Sequence, residues 1–369
     1  MAYTTIDDPS AYFQIALYNG TGGLNLPKVV TNDGVSNLKP DFLWIKDRGA
    51  GYSHALFDSN RGRAKVIYSD STVAEASSGV NDDLVSFNTD GFSVGAPSNA
   101  NSTNGGTTAK VGWQWVANGG TTSSNNDGDL TSTVQFNSTS KFSIITYTAK
   151  NPIEPLDVGH GMGEVPDVVI VKNRDRSITW GVYHKDLTSP AENRYLRLDS
   201  TAQEEANSTV WRNEAPTSSI IKTGESAVLN QPNEEIVMYA WKSVKGFSQF
   251  GTYTGNGKSN AEDGPFVYTG FRPAWVLIKP VDATNMWIMF DSKRKPFNSE
   301  YVYSLYANSG TAEYAGTSYH NCNLYSNGFA PFLTDSSLNG TGTRYVFLAF
   351  AEHPFVTSDD AGSIPVTAR

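Results

Sequence analysis

Three groups of residues have the types and spacing that chemistry requires. The first lies in "VGHGMGEVPDVVIVKNRD" (158–175), where Gly159, Gly161 and Gly163 alternate around His160. Such a stretch suggests a phosphate-cradling loop or a histidine site. A dinucleotide fingerprint, however, sets its glycines between a strand and a helix, so that the helix N-terminus holds the phosphate. Here a strand-like run follows and the spacing is G-x-G-x-G, so the stretch reads as the entry turn to a strand. The second group is "NNDGDL", with Asn125, Asp127 and Asp129 at alternate positions, as at the start of a calcium loop. The glutamate that an EF-hand supplies at its twelfth position is absent, since Phe136 stands there. A turn is expected, and calcium is the one cofactor the sequence admits.

The third group is aromatic. The chain holds 8 tryptophans and 18 tyrosines, and an exposed aromatic face can stack on a sugar ring. Trp180 and Trp287 stand beside loops in corresponding segments, with His54 in the matching place of a third segment. These three are the glycan-binding candidates. Catalytic signatures are weaker. There is no G-x-S-x-G elbow, and the five histidines (54, 160, 184, 320 and 353) lack H-x-x-x-H spacing. Cys322 is the one cysteine, so neither an intrachain disulfide nor a cysteine-based zinc site can form. Asp58 and Asp291 correspond in two segments where the third carries His184, a pattern of turn residues rather than a catalytic set. The expectation is a protein that is not an enzyme.

The elements that must position these residues come from a repeat. "LKPDFLWIKDRGAGYSHALFDSNRG", "EVPDVVIVKNRDRSITWGVYHKDLT" and "FRPAWVLIKPVDATNMWIMFDSKRK" share a proline, a lysine six residues on, and an aromatic eleven further. These are Pro40, Lys46 and Phe57; Pro166, Lys172 and Tyr183; Pro273, Lys279 and Phe290. The apolar runs between proline and lysine read as strands buried on both faces, entered where a missing N–H costs nothing in the ladder. Aromatic strands open each copy (Phe13, Phe142, Phe247), and apolar runs close it at 111–117, 236–242 and 345–351. The segments "STVAEASSG" and "STAQEEANS" admit one short helix each. The fold expected is all-β: three tandem antiparallel β-sandwich repeats, jelly-roll-like, of about 105–110 residues. The expected boundaries are repeat 1 with an N-terminal attachment segment at 1–118, a linker or hairpin at 119–140, repeat 2 at 141–245, repeat 3 at 246–356 and a tail at 357–369.

Composition bounds the partners. The net charge is −9 and no basic stripe exists, which argues against nucleic acid. No apolar run approaches a membrane span, and the start "MAYTTIDDPSAYFQ" lacks a signal peptide's basic and apolar regions.

The segments "MAYTTIDDPSAYF", "FSIITYT", "VGHGMGEVPDVVIVKNRD", "TYTGNG", "DGPFVYTGFRPAWVLIK" and "VFLAFAEHPF" resemble those of proteins from phages of marine bacteria. Those proteins are virion structural or tail-fibre-like proteins built from a repeated β-rich domain of unknown function. The resemblance spans essentially the whole chain, with a departure at "TAKNPIEPLD" (148–157), where a glycine-rich turn is usual. It implies a tail-fibre or appendage component in the virion, folded in the host cytoplasm and released by lysis. Its implied partners are other virion proteins (tail, portal-proximal or capsid) and host surface polysaccharide, and its implied state is a homo-oligomer such as a trimer. A capsid head-decoration or head-fibre protein is the alternative, and a surface polysaccharide depolymerase ranks below both.

Overall fold

The apolar runs after the repeat prolines are strands, and they are covered on both faces because each sheet lies between two cores. The computed structural model describes residues 3–357 except 23–26, 79–82, 96–102, 296, 299–301 and 318–319. Unit 1 comprises β1 (Phe13–Asn19), β2 (Lys28–Val30), β3 (Phe42–Asp47), β4 (Ala55–Asp58), β5 (Lys65–Tyr68), β6 (Ala76–Ser77), β7 (Leu84–Phe87), β8 (Phe92–Val94) and β9 (Ala109–Trp115). A hairpin follows, β10 (Ser123–Asn125) and β11 (Ser132–Asn137). Unit 2 comprises β12 (Phe142–Thr148), β13 (Leu156–Gly159), β14 (Val168–Asn173), β15 (Gly181–His184), β16 (Arg194–Tyr195), β17 (Glu205–Ala206), β18 (Ile220–Thr223) and β19 (Glu235–Trp241). Unit 3 comprises β20 (Ser248–Thr254), β21 (Val267–Tyr268), β22 (Phe271–Pro280), β23 (Ile288–Asp291), β24 (Val302–Tyr306), β25 (Tyr314–Gly316), β26 (Asn321–Tyr325), β27 (Gly328–Phe332) and β28 (Arg344–Pro354). Among the described residues, helix is confined to single 3-10 turns at Pro9–Ala11 and Ala191–Asn193.

One strand order recurs. Unit 1 forms β1–β9–β3–β4–β5–β6 and unit 3 forms β20–β28–β22–β23–β24–β25. Unit 2 forms β12–β19–β14–β15, and the bridge Val182↔Leu196 leads on to the β16–β17 pair. All of these pairings are antiparallel, as are those of the smaller sheets β2–β8–β7, β13–β18 and β21–β27–β26. The register makes Phe42↔Trp115, Val168↔Trp241 and Trp275↔Phe350 equivalent pairs. Lys46, Lys172 and Lys279 then coincide, as do His54, Trp180 and Trp287. Trp275 matches Phe42 rather than Trp44. Pro273 lies inside β22, where the register against β28 shifts at a bulge, a place in a sheet that tolerates proline.

Alternation along β3 explains its double burial. Leu43 and Ile45 face the small sheet and pack with Val30, Phe92 and Val94 in a sandwich core. Phe42 and Trp44 face the other way, into a core shared by all three units. There Phe42 meets Tyr239 at 4.4 Å between ring centroids, Trp115 meets Trp275 at 5.6 Å, and Phe13 stacks on Phe350 at 5.3 Å. Burying each such side chain contributes roughly 1.5–3 kcal/mol. The units therefore close into a ring around one aromatic centre, each touching both others, instead of standing in file.

The 119–140 segment is a hairpin: β11 pairs with β12 and widens the second sheet. The "STVAEASSG" and "STAQEEANS" segments are not helical; they supply the short edge strands β6 and β17. The N-terminal segment, expected as an attachment arm, lies on unit 3 of its own chain. The Tyr3 hydroxyl donates to the Gly270 carbonyl at 2.6 Å, and the Thr4 hydroxyl to that of Lys245 at 2.7 Å. Nearly all of the expected tail, 358–369, lies outside the described residues.

Candidate functional site

The residues singled out for chemistry converge on the three seams of the ring. At the seam of units 1 and 2, Trp180 Nε1 donates to the Tyr68 carbonyl at 2.9 Å. At the next seam, Trp287 Nε1 donates to the Arg197 carbonyl at 2.8 Å. His54 occupies the third. Its Nδ1 accepts from Trp44 Nε1 at 2.8 Å, and its ring faces the backbone of Tyr306 and Ser309 in unit 3. Tyr68, Arg197 and Tyr306 are themselves equivalent. Trp180, Trp287 and His54 are 0%, 1% and 0% exposed, so they offer no face to a sugar. Standing beside a loop does not expose an indole whose loop is packed against the next unit.

The repeat lysines act alongside them. Each ends a buried strand, and an ammonium there must find acceptors. Lys46 Nζ donates to the Tyr52 carbonyl of its own loop at 2.6 Å and to the Gly310 carbonyl of unit 3 at 2.8 Å. Lys172 Nζ reaches Ile178 at 2.7 Å and Thr72 of unit 1 at 3.0 Å. Lys279 Nζ reaches Asn285 at 2.9 Å and Thr201 of unit 2 at 3.1 Å. Burial pulls Lys46 and Lys172 down to about 8 and Lys279 to about 7. A backbone bond recurs at every seam. The amides of Glu75, Glu204 and Glu313 donate to the carbonyls of Arg174, Val281 and Arg48, at 2.7, 2.9 and 2.8 Å.

Asp58 and Asp291 lie beside these bonds as seam residues. Asp58 accepts from Arg61 Nε at 2.5 Å and from the Tyr239 hydroxyl of unit 2 at 2.6 Å. Arg61 Nη1 also holds Glu75, which pairs with Arg174 of unit 2 at 2.8 Å. Burial opposes the Arg61 charge, but Asp58, Tyr239 and Glu75 outweigh it and raise its pKa. The seam of units 3 and 1 repeats the pattern. Asp291 holds Arg294 at 2.5 Å and accepts from Trp113 Nε1 at 3.0 Å, while Glu313 bridges Arg294 and Arg48. Both aspartates are 0% exposed and have no access to a substrate. At the remaining seam His184 faces the Phe347 carbonyl at 3.4 Å, and burial lowers its pKa to about 4.

The glycine stretch is a turn, as its spacing implies. Gly161 and Gly163 have φ of +71° and +69°, and a strand follows. His160 is buried, its Nδ1 accepting from the Met162 amide at 3.2 Å and its Nε2 lying 3.2 Å from the Thr217 carbonyl. Burial lowers its pKa. In the 125–130 turn, the calcium candidates bond to groups of the protein. Asn125 Nδ2 donates to Asp127 at 2.9 Å, and Asp129 accepts from the Asp157 amide at 2.7 Å. Asn125 Oδ1 rests where a side chain at residue 159 would collide. Among the described residues no group of three His, Cys, Asp or Glu is placed to hold a metal.

Sequence reasoning missed Arg61, Arg294 and the three seam glutamates. A trace of them was present, since Arg61 and Arg294 each stand three residues after a corresponding aspartate. The large apolar side chains that the described chain does expose include three aromatics, Phe266, Tyr268 and Phe297, all in unit 3.

No helix among the described residues is long and apolar enough to cross a membrane. No curated protein matches the chain, and no solved structure does. One family model, described as Domain of unknown function (DUF7483), matches residues 8–354 and so takes in all three units at once. That span coincides with the closed ring rather than with one repeat, and the chain belongs to the DUF7483 family.

Proposed function

We propose that the chain is a bacteriophage virion structural protein, a tail-fibre or appendage component that adheres to host-surface glycans and catalyses no reaction. The sequence resemblance to phage tail-fibre-like proteins supports the virion assignment. The geometry adds one observation. The groups best suited to acid–base work, Asp58, Asp291, His54 and His184, are buried at the seams, whereas the exposed aromatics gather in unit 3. That division suits a rigid body with a contact surface. Its partners are then other virion proteins and host polysaccharide. The ring gives one chain a threefold form, so the proposal does not depend on a trimer.

Gold-labelled antibody on purified virions tests this reading. Label on the tail or its appendages is expected. Label on the head would favour a head-decoration or head-fibre protein. Gradient-purified virions free of the chain would overturn the virion assignment, and reducing sugar released from host polysaccharide by the purified chain would overturn the non-enzymatic one.

A further inference from the structure

The sheet β21–β27–β26 presents two faces of different chemistry. Alternation turns Val267, Phe329 and Leu324 inward, where they are buried. The register Tyr325↔Gly328 and Tyr268↔Gly328 places Tyr268 and Tyr325 together on the outer face. Phe266 shares that face, its ring 6.0 Å from that of Tyr325. A side chain at residue 328 would collide with the Val267 carbonyl oxygen and meet the Phe266 ring at 2.9 Å, so glycine there lets β21 and the Phe266 ring approach the strand. Phe266 and Tyr268 are 52% and 59% exposed.

Along the same face, toward the start of β26, the aromatics give way to amides. Asn321 and Asn323 line a cavity of about 700 Å³ together with Asn260, Asn298, Glu262 and Asp263. The amides are held in place. Asn298 exchanges bonds of 2.8 and 2.9 Å with the Leu324 backbone, and Asn321 Oδ1 accepts from the buried Lys295 at 2.5 Å. Asn323 Oδ1 has no hydrogen-bond partner among the described residues. Among the described residues no cationic side chain lines the cavity, and its carboxylates repel anions. Amides donate and accept together, as sugar hydroxyls do, and a flat aromatic suits the C–H face of a sugar ring. Among the described residues, the matching sheets of the other units lack this chemistry. Unit 2 turns out an Asp157–Lys222 ion pair at 2.9 Å, and unit 1 turns out Val29.

We infer that this face of unit 3 binds a neutral oligosaccharide, with one sugar ring on Phe266 and Tyr268 and its neighbour's hydroxyls on the amides of the cavity. The inference rests on the adhesion reading and gives it a place on the chain. The test uses the purified full chain on an array of neutral glucose and galactose oligomers, with sialylated and sulfated oligomers as charged counterparts, followed by calorimetry on the best binder. Neutral oligomers are expected to bind in preference to charged ones. The double variant F266A/Y268A should weaken binding at least tenfold, about 1.4 kcal/mol. N323A should weaken it less, and V29A on the matching face of unit 1 should leave it unchanged. Melting temperatures report on folding in every case. Absence of binding to every neutral oligomer, preference for the charged ones, or binding indifferent to F266A/Y268A would each overturn the inference. The assay needs no virion, so a sugar-binding chain that is missing from virions would sink the virion assignment and leave this site standing.

Discussion

Two kinds of seam in the same ring solve one packing problem with different chemistry. Between units 1 and 2, and again between units 3 and 1, an Asp–Arg–Glu set is buried and completed by an arginine of the facing unit. Between units 2 and 3 the equivalent positions are His184, Leu187 and Glu204, and the facing residue is Val281. With Val281 where the other seams have an arginine, Glu204 turns to Thr188 and to Arg344 of unit 3 at 3.4 Å, and uncharged His184 and Leu187 fill the Asp and Arg positions. The backbone bond from the glutamate to its neighbour survives at all three seams. The ring is therefore specified by backbone acceptors and by the Trp and Lys donors that reach them. The charged sets are one of at least two ways to fill the space beside those bonds. A buried ion pair often adds little over apolar packing, yet breaking one leaves an uncompensated charge.

That comparison can be broken, most forcefully at Arg61. Arg61→Met removes the fully buried cation between Asp58 and Glu75 and should cost about 3–5 kcal/mol in urea unfolding. A loss below about 1 kcal/mol would mean that the charges are not compensating one another. The double variant D58H/R61L transplants the neutral seam. It should cost only about 1–2 kcal/mol, less than the single change, because no charge is left unpaired. A double variant worse than Arg61→Met would show that the two seams are not interchangeable. Trp180→Phe and Trp287→Phe test what the seams share. Each removes the indole donor from a carbonyl at its seam and should cost about 1–3 kcal/mol, by similar amounts at the charged and neutral seams.

The last effect is absent at neutral pH, appears only on acidification and belongs to the neutral seam. His184 has a folded pKa of about 4 against an ordinary 6.5, so between those values the unfolded chain takes up a proton that the folded one refuses. Its stabilising contribution is complete above pH 6.5 and is lost as pH falls to about 4. Unfolding free energies of the parent and His184→Asn should therefore differ in slope across that window and run parallel above it. Equal slopes would remove His184 from the account.

Much of the fold was legible because strands declare themselves locally. Pro40, Lys46 and Phe57 recur at fixed spacing in all three copies, and the apolar runs between them could only be buried strands. The arrangement of the copies was not legible. Its decisive bonds end on backbone carbonyls, which leave no mark on residue type: Trp180 finds Tyr68 and Lys172 finds Thr72 whatever side chains those acceptors carry. Trp180 and Trp287 were recognisable as equivalents, but their exposure was misjudged because the wall that covers them comes from another unit. Glu75, Glu204 and Glu313 were harder, since they lie in flanks whose equivalence is fixed by the β4–β5, β15–β16 and β23–β24 pairings. The aromatic face of unit 3 escaped because Phe266 and Tyr268 have no repeat counterpart to call attention to them.

Lys46 and Gly310 are 264 residues apart, and Trp113 and Asp291 are 178 apart, yet both pairs meet at one seam. Contacts so distant in sequence can form only late during synthesis. A nascent chain with two units made leaves the flanks of Trp113 and Trp115 open to solvent, because Asp291, Trp275 and Phe350 do not yet exist. Closure waits for the third unit to emerge. Until it does, the same unit from a neighbouring chain on the polysome competes for that seam, and exchange between chains is the misassembly that this architecture has to outrun.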